Sequence, residues 1–418
     1  MREITLSHKL ERDNLLTEKY IPRDLLKKAK ESISQKIVKV IVGPRRAGKS
    51  VFSLQLLREL DFAYLNFDDE RILATKDYDE IIKGIKEVYG NVKYILFDEI
   101  QNLQKWELFI NRLHRRGYNL ILTGSNSRLL SRELSAHLTG RHIQYQILPF
   151  SFNEFLKAKR VDAKDFSQGK EDQGRILFYL DEYLKTGGFP EVVLTEVNRN
   201  DYLRILVDSV ILKDVVKRYN IRYTQKLYEL ALYLINNHSQ EFSSTKLKNI
   251  LGLGSIHTVE NYISYLEEAF VVFRVKRFSF KFKEQIQAPQ KVYAYDTGVI
   301  NAVKFKLSPE TGKLLENLVA VELIRRGEDF YYYKNPRGWE VDFVLKKGMK
   351  ASQLIQVCYE LRYPEARKRE HKALIKASSD LGCNNLMVIT WDEEGEINYK
   401  DKLIKYLPLW KWLYGKGA

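Results

Sequence analysis

Short apolar runs alternate with amphipathic stretches through the first third of the chain. "IVKVIV" (37–42) is rich in β-branched residues and reads as a buried strand. "FAYLNFDD" (62–69), "VKYILF" (92–97) and "NLILTGSNS" (119–127) read the same way. "YDEIIKGIKEVYG" and "KWELFINRLHRRG" repeat apolar positions at helical spacing between them. Strands alternating with helices imply a parallel sheet covered on both faces, hence an α/β fold.

The pattern then changes. The polar stretch 161–174 predicts a surface loop, and "RILFYLDEYLKTGGFPEVV" a helix stopped by Gly187-Gly188 with Pro190 barring its continuation. "YLRILVDSVILKDVVKRYNI" is helical, with Asp214, Lys217 and Arg218 expected on its polar face. A short helix (243–250), a turn (252–254) and a second helix (255–269) precede an alternating strand pair, the order of a winged helix. Its wing would carry Arg274, Lys276, Arg277, Lys281 and Lys283, whereas Glu260, Glu267 and Glu268 make the second helix a poor face for phosphates. Near the end, "TGKLLENLVAVELIRRG" is an amphipathic helix bearing Glu316, and "DFYYYKN" a strand. The segment 340–361 alternates on both sides of a Lys-Lys-Gly turn and reads as a hairpin.

The strongest chemical signal lies after the first strand. Gly43-Pro44-Arg45-Arg46-Ala47-Gly48-Lys49-Ser50-Val51 runs from a strand into a helix, the context a phosphate-binding loop requires. Its glycines let successive backbone N–H groups face phosphate oxygens, and the following helix adds its positive end. Lys49 is expected to bridge the β- and γ-phosphates and the Ser50 hydroxyl to ligate Mg²⁺. "YILFDEI" ends a buried strand in Asp98, a second candidate Mg²⁺ residue, and Glu99, the candidate base that orients water. The polar cluster 123–127 would sit beside the γ-phosphate, where Ser125 or Asn126 can sense it; a turn and helix cap is the competing reading.

"GPRRAGKS", "YILFDEIQ", "LTGSNSRLL", "LTGR", "GGFPEVV", "SIHTVENYISYLEEA", "KVYAYDTG" and "EVDFVL" together resemble a prokaryotic family of AAA+ ATPases. In that family the ATPase domain precedes a winged helix and a nuclease-like C-terminal domain. The resemblance implies a division into a helical lead-in (1–35), a P-loop core (36–155), a helical subdomain (156–222), a winged helix (223–297) and a restriction-endonuclease-like domain (298–418). It also implies that Arg141 is an arginine finger, acting in cis or across a subunit boundary of a homo-oligomer. In the nuclease-like pattern Glu316 and Asp342 match metal ligands. Gln356 stands where a second strand would offer a carboxylate, and Cys358 where it would offer lysine. An amide removes a charge that Mg²⁺ needs, and a thiol cannot steady a pentavalent phosphate, so the domain is expected to be inactive. Lys346, Lys347 and Lys368 remain open as migrated replacements.

Composition narrows the partners. Among 418 residues, 69 Lys and Arg face 54 Asp and Glu, a formal net charge of +15, which suits either a nucleic-acid partner or a lysine-rich soluble protein. Two cysteines exclude a disulfide framework. With no apolar run of membrane length and a charged start, a cytoplasmic protein without a membrane span is expected. The expected activity is Mg²⁺-dependent ATP hydrolysis coupled to remodelling or moving nucleic acid, DNA foremost. The alternative is a nucleotide-dependent switch or protein-remodelling ATPase whose C-terminal domains bind protein partners.

Overall fold

Five β-branched or aromatic-rich segments form the strands of the first unit: β1 (Val38–Val42), β2 (Phe62–Asn66), β3 (Tyr94–Asp98), β4 (Asn119–Gly124) and β5 (His142–Gln146). All pair in parallel, in the order β2-β3-β4-β1-β5. Such strands are buried on both faces, and β1 and β4 are buried at every position. Ile41, Phe52, Phe62, Leu96, Ile121 and Tyr145 pack into the core. Lys39, in the middle of β1, is fully buried. Its ammonium donates to the carbonyls of Ile33 (3.0 Å) and Gln35, capping the end of the helix Leu26–Ser32.

This is a computed structural model describing residues 1–126, 140–161, 170–305, 310–359, 361 and 364–415. The chain divides into two compact units: Met1–Pro149 with Glu268–Phe270, and Phe150–Glu267 with Val271–Ala418. Among the described residues no helix is long and apolar enough to cross a membrane.

The second unit opens with helices Phe152–Ala158, Lys170–Thr186 and Pro190–Leu194. The loop expected at 161–174 is therefore helical from Lys170 onward; residues 162–169 lie outside those described. Helix Arg199–Ser209 continues through a π-helical stretch, Val210–Val216, into Lys217–Tyr219. That widened turn shifts the helical register, and Asp214, expected on the polar face, is 6% exposed. After helix Thr224–Asn236 come β6 (Gln240–Phe242), helices Ser244–Ile250 and Ile256–Glu268, β7 (Val272–Val275) and β8 (Gln290–Ala294), giving an antiparallel sheet ordered β6-β8-β7. The connection from β7 to β8 departs from the expected wing. It holds a short helix, Phe282–Gln287, and Arg274 is turned away to pair with Glu260 and Glu267, each at 2.7 Å.

Two motifs distant in sequence lock together here. Asp296 caps helix Thr297–Val303, accepting from the Val299 N–H (3.1 Å) and from the Gly188 N–H (2.7 Å). A Cβ on Gly187 would lie 2.0 Å from the Asp296 carboxylate, and one on Gly298 2.1 Å from the Thr186 carbonyl. "GGFP" and "YDTG" are thus the two halves of one close backbone contact. Burial raises the Asp296 carboxyl to about 6, although backbone N–H groups oppose the shift.

Helix Thr311–Arg326 precedes a six-stranded sheet of β9 (Phe330–Lys334), β10 (Glu340–Lys347), β11 (Lys350–Cys358), β12 (Leu386–Thr390), β13 (Gly395–Tyr399) and β14 (Lys402–Pro408). Its order is β13-β14-β12-β11-β10-β9. The expected hairpin forms between β10 and β11, with a register shift at Leu345/Lys346. Helix Pro364–Leu381 contributes Leu374 and Ala377 to a core with Val341, Val344, Leu354 and Val388.

Candidate functional site: a phosphate-binding loop beside an acidic strand end

Strand order brings the predicted residues together. Because β4 lies between β1 and β3, the loop after Val42, the polar end of β4 and Asp98 share the carboxyl edge of the sheet, and Val42 is in register with Gly124. Gly43 is demanded by proximity: a Cβ there would stand 1.9 Å from the Ile147 carbonyl, just beyond β5. Gly48 has φ 90° and ψ 30°, conformations that favour glycine, and helix Lys49–Leu57 starts immediately after it. Pro44 and Ala47 are buried, Arg45 and Val51 half-buried, and Arg46 exposed with φ 64°.

Lys49 is 4% exposed; its ammonium donates to the Pro44 carbonyl at 3.1 Å and stands 3.7 Å from a Glu99 carboxylate oxygen. The loop's own carbonyl and the candidate base thus hold the positive charge that phosphates would attract. Glu99 has φ 51° and ψ 41°, a left-handed conformation costing about 1–3 kcal/mol in a non-glycine residue. Gln101 also donates to its carboxylate.

Ser50 Oγ donates to Asp98 Oδ1 at 3.0 Å, and Thr123 Oγ1 donates to the same oxygen while accepting the Glu99 N–H at 3.0 Å. Burial, then the neighbouring Glu99 charge, raises the Asp98 carboxyl to about 6 against the opposing hydroxyl bonds. The donor set fits Mg²⁺, since a hydroxyl and a carboxylate, both hard oxygen donors, meet beside the loop. Ser125 and Asn126 follow β4 and are buried at 3% and 0% exposure; Ser127 lies outside the described residues.

Arg141 is placed elsewhere. Its carbonyl accepts the Val38 N–H at 2.9 Å, at the start of β1, and its side chain is exposed. At about 3.3 Å per residue this is roughly 13 Å of strand away from the loop, on the opposite edge of the sheet. Arg141 is therefore not assembled with its own chain's loop.

Sequence reasoning missed Arg23 and the bridging role of Thr123. The buried guanidinium of Arg23 donates to the Ala47 carbonyl (2.8 Å) and to the Leu148 carbonyl, tying the loop to the segment after β5. No local pattern announces it, because its partners are backbone atoms distant in sequence. Thr123 had a signal, being the first hydroxyl at the end of an apolar strand.

The C-terminal acidic residues also converge. Glu316, Glu340 and Asp342 surround an ammonium, that of Lys291 on β8, at 2.9, 2.6 and 3.6 Å. Asp342 accepts the Val357 N–H at 2.8 Å, and Gln356 Oε1 lies 3.4 Å from the Asp342 nitrogen. Cys358 is half-buried at the end of β11. None of the lysines left open as replacements enters: Lys346 faces Asp329 at 3.7 Å, and Lys347 and Lys368 are exposed.

A parallel sheet of this order, with its glycine loop and strand-end aspartate, defines a P-loop ATPase domain. The AAA domain family matches residues 35–156, and two families described as domains of unknown function (DUF8612 and DUF4143) match residues 177–311 and 311–412. The chain is 37% identical to an uncharacterized protein of Methanocaldococcus jannaschii over 90% of this chain and 88% of that one. It is 33% identical to an uncharacterized protein of Haemophilus influenzae over 78% and 83%. It belongs to the family of these two proteins. Among solved structures it is similar to a Walker-type ATPase of Pyrococcus abyssi, with a TM-score of 0.45 and 14% identity over 68% of this chain and 96% of that one.

Proposed function

We propose that the protein is an Mg²⁺-dependent ATPase that binds nucleic acid, DNA foremost, and couples hydrolysis to remodelling or moving it. The observation that carries the enzymatic part is the contiguity of Lys49, Ser50, Asp98, Glu99 and Thr123 at one sheet edge. The loop N–H groups cradle the β-phosphate, and Lys49 leaves Pro44 and Glu99 to bridge the β- and γ-phosphates. Ser50 and Asp98 would hold Mg²⁺, which would supply positive charge to offset that of the phosphates. Glu99, released from Lys49, accepts a hydrogen bond from the attacking water, while Ser125 or Asn126 senses the γ-phosphate. Arg141, remote from its own loop, serves a neighbouring subunit's site in a homo-oligomer.

For nucleic acid the support is the charge of +15 and the exposed segment after β7. There Lys281 and Lys283 alternate with Phe280 and Phe282, 61% and 72% exposed, with Lys276 nearby in sequence, the pairing of cations and stacking faces that suits single strands. The test is ATP turnover alone and with single-stranded, duplex and branched DNA at two salt concentrations. Stimulation that weakens with salt supports the reading; no stimulation and no salt-sensitive binding by any of them dismisses it.

A second reading has its own observation. Glu260 and Glu267 consume Arg274, leaving the segment's exposed Phe280, Phe282 and Ile286 available to an apolar protein surface. A nucleotide-driven switch acting on protein partners would then change oligomeric state between ADP and a non-hydrolysable ATP analogue, an outcome that size-exclusion chromatography decides.

A further inference from the structure

The acidic cluster of the six-stranded sheet is laid out as a nuclease would hold Mg²⁺, with an acid on a helix and acids on the adjoining hairpin. Its contents do not fit that ion. The Lys291 side chain is 3% exposed, reaches in from β8, and meets Glu316 and Glu340 within 2.9 Å and Asp342 within 3.6 Å. Tyr293, two residues along the same strand and on the same face, donates to Glu316 at 2.7 Å. Mg²⁺ would need these same oxygens at about 2.0–2.1 Å, which an ammonium already bonded to them forbids by both contact and repulsion. Gln356 supplies an amide in place of a further negative charge.

We infer that the Lys291 ammonium takes the place of the divalent cation in this cluster, making the C-terminal sheet a metal-free element fastened internally to the three-stranded sheet. The charge balance agrees. Three acidic side chains, Glu316, Glu340 and Asp342, face the one Lys291 ammonium. Lys334 on β9 adds a second cation, 3.3 Å from Glu340 and 2.8 Å from Glu241 of β6. Two ammonium groups therefore join the two sheets through carboxylates, and the nuclease-like layout is used as a joint. The inference is independent of what the ATPase acts on.

The test is Mn²⁺ titration of the full chain, without nucleotide, followed by electron paramagnetic resonance. Asp98→Asn is present throughout to remove Mn²⁺ binding at the loop. The chain with Lys291 intact is expected to bind no Mn²⁺ at this cluster. Adding Lys291→Ala should create one site per chain, abolished by a further Asp342→Asn. Mn²⁺ binding with Lys291 present that disappears on Asp342→Asn overturns the inference, because the metal then displaces the lysine. A folded Lys291→Ala chain that gains no site also overturns it. Should that variant not fold, the Lys291-containing chain and its Asp342→Asn partner still decide the matter.

Discussion

Replacing Asp98 by asparagine should stabilise the nucleotide-free protein, and only above acidic pH. Asp98 is 4% exposed, and burial and the Glu99 charge raise its carboxyl from 3.8 to about 6. A folded-state pKa above the unfolded one means that the native state binds the extra proton. The associated stability is complete below about 4 and is lost as pH rises through about 6. A shift of about two units corresponds to about 3 kcal/mol. Asparagine keeps an acceptor for the Ser50 and Thr123 hydroxyls and carries no charge to bury. Asp98→Asn should therefore exceed the native protein in stability by up to about 3 kcal/mol at pH 8, with the difference shrinking through pH 6 and vanishing near pH 4. Urea unfolding across that range measures it, following the transition that ADP shifts in the native protein. A variant less stable at pH 8, or a difference constant with pH, would refute the argument that Asp98 is held at an electrostatic cost until metal arrives.

Four other outcomes are expected. Glu99→Gln should bind ATP as the native chain does while turnover falls about 10²–10⁴-fold; normal turnover in a steady-state phosphate-release assay removes Glu99 as base. Arg141→Ala should slow hydrolysis only in the assembled form, and mixing it with Glu99→Gln protein should restore activity; a loss that persists at dilution contradicts action between subunits. Gly298→Ala should lower stability by about 1–3 kcal/mol, because its Cβ meets the Thr186 carbonyl at 2.1 Å. Gly174→Ala, with open space on the helix Lys170–Thr186, should raise it by about 0.5–1 kcal/mol, and thermal melts of the two variants against the native chain measure both.

What was legible from the sequence was local. The strand, glycine loop and helix of residues 37–57 are contiguous, so spacing alone implies their geometry, and the apolar run before Asp98 places it at a strand end. Features built by distant contacts were not legible. Arg23 holds the loop through carbonyls that any residue possesses, and Lys291 enters an acidic cluster from a strand in another sheet. Asp214 misled for a different reason: its burial follows from a π-helical register shift that a 3.6-residue period does not anticipate. Likewise the basic segment after β7 alternates like a strand over 277–283, yet its second half is the helix Phe282–Gln287. The function of "GGFP" and "YDTG" became readable only when Gly187 and Asp296 met.

Hydrolysis of ATP by this chain depends on Lys49, Ser50 and Asp98 forming one triphosphate site. Isothermal titration of the full chain with ATP in the presence of Mg²⁺ tests it most directly. One ATP per chain is expected, with no heat of binding in Lys49→Ala and weakened binding on chelation of Mg²⁺. No binding by the native chain, or equal binding by Lys49→Ala, would contradict it.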